Sequence, residues 1–299
     1  MEAFKLQSAM EYLMTYGWAI LIIAIVLGAI FGLGLFNSAN LAPKVSAGSC
    51  QVYRPQGPGT TSFINTEGAC SNEDPQFAAQ FNGVSSYINI PYSNTLYPTQ
   101  YITVSLWFKT TESISGGWSQ LINTAGFDSN CDSGIYCIRI CCSTFYVSVA
   151  TTTGSNHNTG LANSALPASQ QMNSGNWNNV IEVYNGAMLY LYWDGALKKS
   201  ISVTGTLLQS SNSITISDPA FAAYQGSIEN VQIYNTSLTT NEITALYDEG
   251  IGGDPLVLNN LVAWWPLNGN ANDYSGNFNN GLPTNVVFTS AWTSGYTAP

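Results

Sequence analysis

Apolar and polar residues alternate with a period of two through much of the chain. Ile102, Val104, Leu106 and Phe108 interleave with Thr103, Ser105, Trp107 and Lys109, the pattern of a strand with one buried face. Residues 180–182 and 188–193 flank Tyr184-Asn185-Gly186 and predict a hairpin, and Asp194-Gly195 supplies a second tight turn before Leu197. Short strands with such turns between them recur from residue 77 onward. They predict a mainly β fold, one jelly-roll sandwich. Only residues 240–247, TNEITALY, read as a soluble helix, with Thr239 or Thr240 placed to cap its start and Gly250 its exit.

A different pattern occupies residues 18–36, WAILIIAIVLGAIFGLGLF, which are apolar without any period. At about 1.5 Å per residue this run spans roughly 30 Å, the thickness of a bilayer core. A helix apolar on every side belongs in lipid or inside a bundle. No Asp, Glu, Lys or Arg stands between Glu11 and Lys44, and Tyr12, Tyr16 and Trp18 mark the start of the run, where interfacial aromatics are expected. A single N-terminal transmembrane helix is therefore expected before the sandwich. A cleaved secretory signal is the alternative, but the run exceeds such a segment in length and only Asn37-Ser38-Ala39 offers a weak cleavage site. Gly28 and Gly32 would let two such helices pack closely. Residues 37–76 are rich in Gly, Pro, Ser and Thr, with RPQGPG at 54–59, and predict a stalk.

Charge narrows the partners. Seven Lys and Arg against 17 Asp and Glu give a net charge of −10, and only 8% of residues are charged, against about 25% in ordinary soluble domains. An acidic surface with so few cations repels phosphate, so no nucleic-acid partner is expected. A hydrophobic content of 45% excludes a disordered acidic chain.

The six cysteines fall into two groups. Cys50 and Cys70 bracket part of the stalk, and Cys131, Cys137, Cys141 and Cys142 lie close together. In an exported chain they suggest disulfides, with Cys50–Cys70 favoured and pairing among the other four. A zinc cluster is the rival, but the spacing lacks paired C-x-x-C and a nearby His. If Cys141 and Cys142 lie on a strand they point to opposite faces, which implies different partners.

Candidate chemistry is sparse. Glycoside hydrolysis needs two carboxylates facing one cleft, about 5–10 Å apart, and no Glu-x-Asp occurs. Glu182 alone within a strand reads as an exposed or structural carboxylate, and His157 in TTTGSNHNTG as a solvated loop residue. An enzyme is not expected. Asp273, Ser275, Asn277 and Asn279 recur at every second position in DYSGNFNNG, a spacing of oxygen groups that a loop uses to wrap Ca²⁺; an Asx-rich turn is the alternative. Trp118, Tyr224 and Trp292 lie near Gly, Ser or Thr and outside alternating apolar runs, which makes them candidates for exposed glycan-binding rings. Trp107, Trp193 and Trp265 sit in strand patterns and read as core. Asn235-Thr236-Ser237 is the one N-glycosylation sequon.

Two resemblances extend this reading. KLQSAMEYLMTYGWAILIIAIV, residues 5–26, resembles the class III signal peptide of archaeal type IV pilin-like proteins. The resemblance implies cleavage between Leu6 and Gln7, with Leu6 standing where that family has Gly. It makes Glu11 the fifth mature residue, where the family's Glu pairs with the terminal amine of a neighbouring subunit. A carboxylate at the lip of a lipid helix is costly unless so paired. Partners implied are membrane lipid and identical or other pilin subunits.

Further along, FNGVSSYINIPYSNTL, YITVSLWFKT, SGNWNNVIEVYNGAMLYLYWDGAL and GSIENVQIYNTSLTTNEITALYDEG resemble, in order and spacing, a laminin-G-like domain of the concanavalin A-like superfamily. LVAWWPLNGNANDYSGNFNNG at 261–281 is similar to that family's usual first strand, yet here it comes last. Neighbouring jelly-roll termini would let a late strand at 261–267 complete the sheet. The resemblance implies a structural Ca²⁺, with Asp218 near the carboxylate position of pentraxin-like relatives, although Asn82, Ser85 and Ser86 replace the usual Asp pair. The expected organisation is a leader at 1–6, a pilin-like helix at 7–36, a stalk at 37–76 and a laminin-G-like domain at 77–299. The expected function is adhesion at the cell membrane or on a surface filament, with the domain outside binding glycan or a surface protein. A ligand-free structural pilin and a membrane-tethered glycoside hydrolase are the alternatives.

Overall fold

The computed structural model describes residues 21–26, 50–55, 61–69, 72–110, 117–126, 134–219 and 223–299. The chain divides into two units, Met1–Lys44 and Val45–Pro299. In the first, residues 21–26 are helical, with Leu21, Ile22, Ile23 and Ile25 exposed. Among the described residues no helix is long and apolar enough to cross a membrane. Leu6, Gln7, Glu11 and most of the predicted span lie outside them.

The second unit opens with a three-stranded antiparallel sheet of β1 (Cys50–Pro55), β2 (Thr61–Ala69) and β3 (Asn72–Pro75). The segment read as a stalk contains these strands. Their residues lack a period-two apolar pattern, so the main-chain ladder that defines them leaves no trace in the residue order.

A sandwich follows. One sheet has seven strands: β5 (Tyr87–Ile90), β7 (Trp118–Asn123), β8 (Tyr136–Cys141), β9 (Thr144–Thr151), β10 (Gly154–Ala162), β14 (Ile214–Ile216) and β17 (Leu282–Thr284), in the order β10-β9-β8-β7-β14-β5-β17. The other contains β4 (Ala78–Asn82), β6 (Ile102–Lys109), β11 (Asn178–Tyr184), β12 (Met188–Trp193), β13 (Ala196–Ser202), β15 (Gln225–Tyr234) and β18 (Val287–Thr289), ordered β13-β12-β11-β6-β15-β4-β18. The eighth strand, β16 (Leu261–Trp265), pairs with β15 beside this path. Every pairing is antiparallel, as a jelly roll requires. The β12–β13 turn holds Asp194 and Gly195 at φ 48° and 69°, the left-handed pair that a two-residue hairpin needs.

The late strand takes a definite place. Gln225–Ile228 of β15 pair with β4, and Val231–Tyr234 pair with β16, while β6 holds the opposite edge along both stretches. β16 and β4 therefore lie end to end on one edge of β15, with the register break around Asn230 (φ 49°) between them. β17 and β18 then pair with β5 and β4, so the last forty residues add strands to both sheets.

The main core lies between the sheets. Phe108, Phe145 and Trp193 pack with ring centres 5.1–5.4 Å apart, and Trp265 is fully buried with them. On the opposite face of the eight-stranded sheet lies α1 (Thr240–Asp248), which buries Ile243 and Leu246 against Ile181, Val183 and Tyr234. Thr239 and Glu242 form a capping box at its start, the Glu242 carboxylate accepting the Thr239 N–H at 2.7 Å. Trp107 belongs to a third cluster with Trp177, Trp292 and Tyr296.

Candidate functional site

The outer face of the seven-stranded sheet presents the exposed tryptophan. Ile138 and Ile140 of β8 and Phe145 and Val147 of β9 point into the core, so the intervening Arg139 and Tyr146 point outward. Register places Gln120, Arg139, Tyr146 and Gly160 side by side on four adjacent strands. Trp118 lies one pleat away, opposite Cys141.

This geometry holds a cation beneath two rings. The Arg139 guanidinium carbon stands 4.7 Å from the Trp118 ring centre and 5.9 Å from that of Tyr146. Arg139 is buried, whereas Trp118 is 44% exposed. The indole is thus fastened from below by a cation–π contact worth about 0.5–2 kcal/mol, with part of its surface open. Tyr146 is held in turn by Gly160: a Cβ there would stand 2.7 Å from the tyrosine ring. Only the missing side chain on β10 leaves room for that ring. A flat, preoriented aromatic surface on a polar sheet face suits the apolar C–H face of a sugar ring.

Of the three rings proposed from the sequence, only Trp118 is exposed. Tyr224 is fully buried, edge-on to Phe81 with centroids 6.2 Å apart, and its hydroxyl donates to the Lys109 carbonyl at 2.8 Å. Trp292 is 1% exposed and packs against Trp177. Its carbonyl accepts from Trp177 Nε1 at 2.9 Å and from Lys109 Nζ at 2.8 Å, and burial lowers the Lys109 pKa. Small polar neighbours mark turn ends for these two residues, not solvent exposure. Arg139 and Tyr146 were missed, although their alternation with Ile138, Ile140, Phe145 and Val147 marks their face.

The proposed calcium loop is closed by protein groups. Asp273 is 1% exposed; its Oδ1 accepts the N–H groups of Trp264 and Ser275, both at 2.9 Å, and its Oδ2 that of Asn279 at 2.8 Å. Three main-chain donors leave about one lone-pair direction of the carboxylate. Ser275 Oγ, Asn277 Nδ2 and Asn279 Nδ2 donate to the Val262 carbonyl at 3.0–3.1 Å. These side chains act as donors facing a carbonyl, and that donor set does not fit a cation needing six to eight oxygens. The loop instead latches β16. Asp218 is buried after β14, in the other sheet, and among the described residues no group of three acidic, His or Cys side chains is placed to hold a metal. At the other family position, Asn82 Oδ1 accepts the N–H groups of Val84, Ser85 and Ser86 at 2.8–3.1 Å, an Asx-type turn built from main chain.

The cysteines differ from expectation in one respect. Cys137 is disulfide-bonded, but Cys141 and Cys142 are free thiols, the first buried and the second exposed. Cys142 and Ser143, at φ 53° and 61°, form the tight β8–β9 turn, so Cys142 is not on the strand. Burial pushes the Cys141 thiol up to about 11. Cys131 and Cys70 lie outside the described residues, as does the Cys50 side chain.

The Glu182 carboxyl is buried, not exposed. The residue pairs across to Val104 and Leu191, both core residues, so its carboxyl enters the core. Both oxygens lack a partner among the described residues, and burial holds its pKa well above the carboxylate range. Glu229 is also fully buried and shifted upward by burial.

Comparisons with known proteins agree with the architecture. A candidate carbohydrate-binding protein from Bacteroides ovatus superposes with a TM-score of 0.54 at 11% identity, covering 73% of this chain and 61% of its own. The binding domain of botulinum neurotoxin serotype G gives a TM-score of 0.46 at 15% identity over 69% of this chain and 46% of its own. The chain thus spans about three fifths of the first structure's length and under half of the second's. No curated protein matches the sequence. The sequence profile of the concanavalin A-like lectin/glucanases superfamily matches residues 82–244, more than half of the chain, and the chain belongs to that superfamily.

Proposed function

We propose that this protein is a surface-displayed glycan-binding adhesin, with the apolar N-terminal segment as its anchor and the β sandwich outside. The observation that carries the reading is the exposed Trp118 ring fixed over Arg139 on the outer sheet face. The B. ovatus fold relative, itself a candidate carbohydrate-binding protein, supports a saccharide as the ligand class. Burial of Glu182 and Glu229 favours binding over hydrolysis, because neither carboxyl reaches a bound sugar. Trp118→Ala should weaken capture of the full-length protein on at least one glycan of an immobilised panel; capture equal to wild type on every glycan would contradict the proposal. The pilin-like stretch around Gln7 and Glu11 favours presentation on a filament. Mass spectrometry of the mature N-terminus checks that part: Gln7 supports assembly, and retained Met1 supports a simple anchor.

A further inference from the structure

A second site lies on the opposite sheet. In the eight-stranded sheet Val183 pairs with Tyr190, and Tyr192 pairs with both Ile181 and Leu197. Ile181 and Val183 face the helix side of this sheet, so Tyr190 and Tyr192 form a ledge on that side, with ring centres 6.3 Å apart. The turn leading into α1 rises beside the ledge. Between them lies a cavity of about 390 Å³, lined by Asn185, Tyr190, Tyr192, Leu197, Ser237 and Thr240 among others. That volume falls in the range of small-ligand sites.

The lining specifies the chemistry. It contains no Asp, Glu, Lys, Arg or His, so nothing in it selects a charged ligand. Two phenol rings and the half-exposed Leu197 offer apolar surface. Hydroxyls and an amide surround them. The Tyr192 hydroxyl lies 3.3 Å from Thr240 Oγ1, bridging the ledge to the helix start, and Asn185 Nδ2 donates to the Tyr190 hydroxyl at 3.3 Å. Asn185 Oδ1 is engaged by the Ala187 and Met188 N–H groups, which fixes the amide and aims its nitrogen at the ledge. The capping box of Thr239 and Glu242 likewise fixes the opposite wall. Apolar ring faces edged by fixed neutral hydrogen-bonding groups match a pyranose, whose C–H face is apolar and whose rim is hydroxyl.

We infer that this cleft binds a neutral saccharide unit, independently of Trp118. The two sites lie on the outward faces of different sheets, so one domain engages two separate sugars. This goes beyond the Trp118 reading and does not require it.

Saturation-transfer NMR with cellobiose, maltose and lactose tests the cleft. The full-length protein is held in an amine-oxide detergent whose headgroup carries no sugar, with each disaccharide at about 10 mM, above a Kd of order 1 mM. Trp118→Ala is expected to keep transfer to at least one disaccharide. Adding Tyr190→Ala should weaken it roughly tenfold, the loss of one stacked ring, and Thr240→Trp, which fills the cleft from the exposed first turn of α1, should do the same. Unchanged thermal unfolding certifies each variant as folded. No transfer in Trp118→Ala, or transfer indifferent to both cleft variants, would overturn the inference. Loss on Trp118→Ala alone leaves the proposed function standing without this site, and loss on the cleft variants alone does the reverse.

Discussion

The Arg139 guanidinium lies 4.7 Å beneath the centre of the Trp118 ring, and the two residues divide their roles by burial. Arg139 is enclosed, whereas Trp118 is 44% exposed. Removing the indole therefore deletes the exposed part and leaves the sheet intact. Trp118→Ala should cost about 1 kcal/mol or less of stability, read by urea unfolding. Arg139→Ala should cost more, because it leaves a gap between Trp118 and Tyr146.

The last forty residues should be indispensable. Trp265 is fully buried and its Nε1 donates to the Asn279 carbonyl at 2.8 Å, tying β16 to the Asp273 loop. Trp265→Ala should destabilise by about 3–5 kcal/mol. Truncation before Leu261 strips β15, β5 and β4 of strand partners and should abolish cooperative unfolding. A truncated chain melting like the full one would contradict the end-to-end placement of β16 and β4.

Glu182 makes stability depend on pH. Burial raises its folded-state pKa, while the unfolded carboxyl titrates near about 4.3. Between these values the folded state holds the extra proton, so stability falls as pH rises through that window and is fully present only below it. Asp194, pushed up to about 6 by burial, acts in the same sense. Lowering the pH from 7 to 5 should therefore raise the melting temperature. Glu182→Gln should raise it at pH 7 and leave it nearly unchanged near pH 4, as scanning calorimetry would show.

Calcium should change nothing in the 273–279 loop. Asp273→Ala leaves the Trp264, Ser275 and Asn279 N–H groups without their acceptor and should cost about 2 kcal/mol or more. Millimolar Ca²⁺ added to chelated protein should leave the melting temperature of both wild type and variant unmoved. A calcium-dependent rise in the wild type alone would restore the cation.

Thiol chemistry should separate the adjacent cysteines. Cys142 is exposed in the turn, and Cys141 is buried with its thiol held protonated. A small alkylating reagent at pH 8 should modify Cys142 in the folded protein and reach Cys141 only after denaturation, as peptide mapping would record.

The strands with one apolar face were legible in the sequence. Residues 102–109 alternate because Ile102, Val104, Leu106 and Phe108 enter the main core while Thr103 and Ser105 face the other way, the 180–193 hairpin is apolar on both faces because one packs into the core and the other against α1, and Asp194-Gly195 takes the turn its residue types favour. The late strand was legible from the resemblance of LVAWWPLNG to the family's usual first strand. Burial of Tyr224 and Trp292 was not. Both lie outside alternating runs, and their enclosure comes from residues distant in sequence, Phe81 and Lys109 for one and Trp177 for the other. Glu182 misled in the opposite way: its position in β11 follows the core-facing alternation of Val180 and Tyr184, but its chemistry argued for water. The ledge of Tyr190 and Tyr192 reads only as a strand, and a cleft appears once the turn at 237–240 is folded beside it.

The central claim is that the Trp118 face holds a saccharide. Its most direct test is titration calorimetry of full-length wild type, Trp118→Phe and Trp118→Ala, in the same sugar-free detergent, against the glycan captured most strongly from the panel. Loss of a stacked ring predicts Kd roughly tenfold weaker for Ala, with Phe between it and wild type. Three indistinguishable Kd values, with all three proteins folded, would contradict the account.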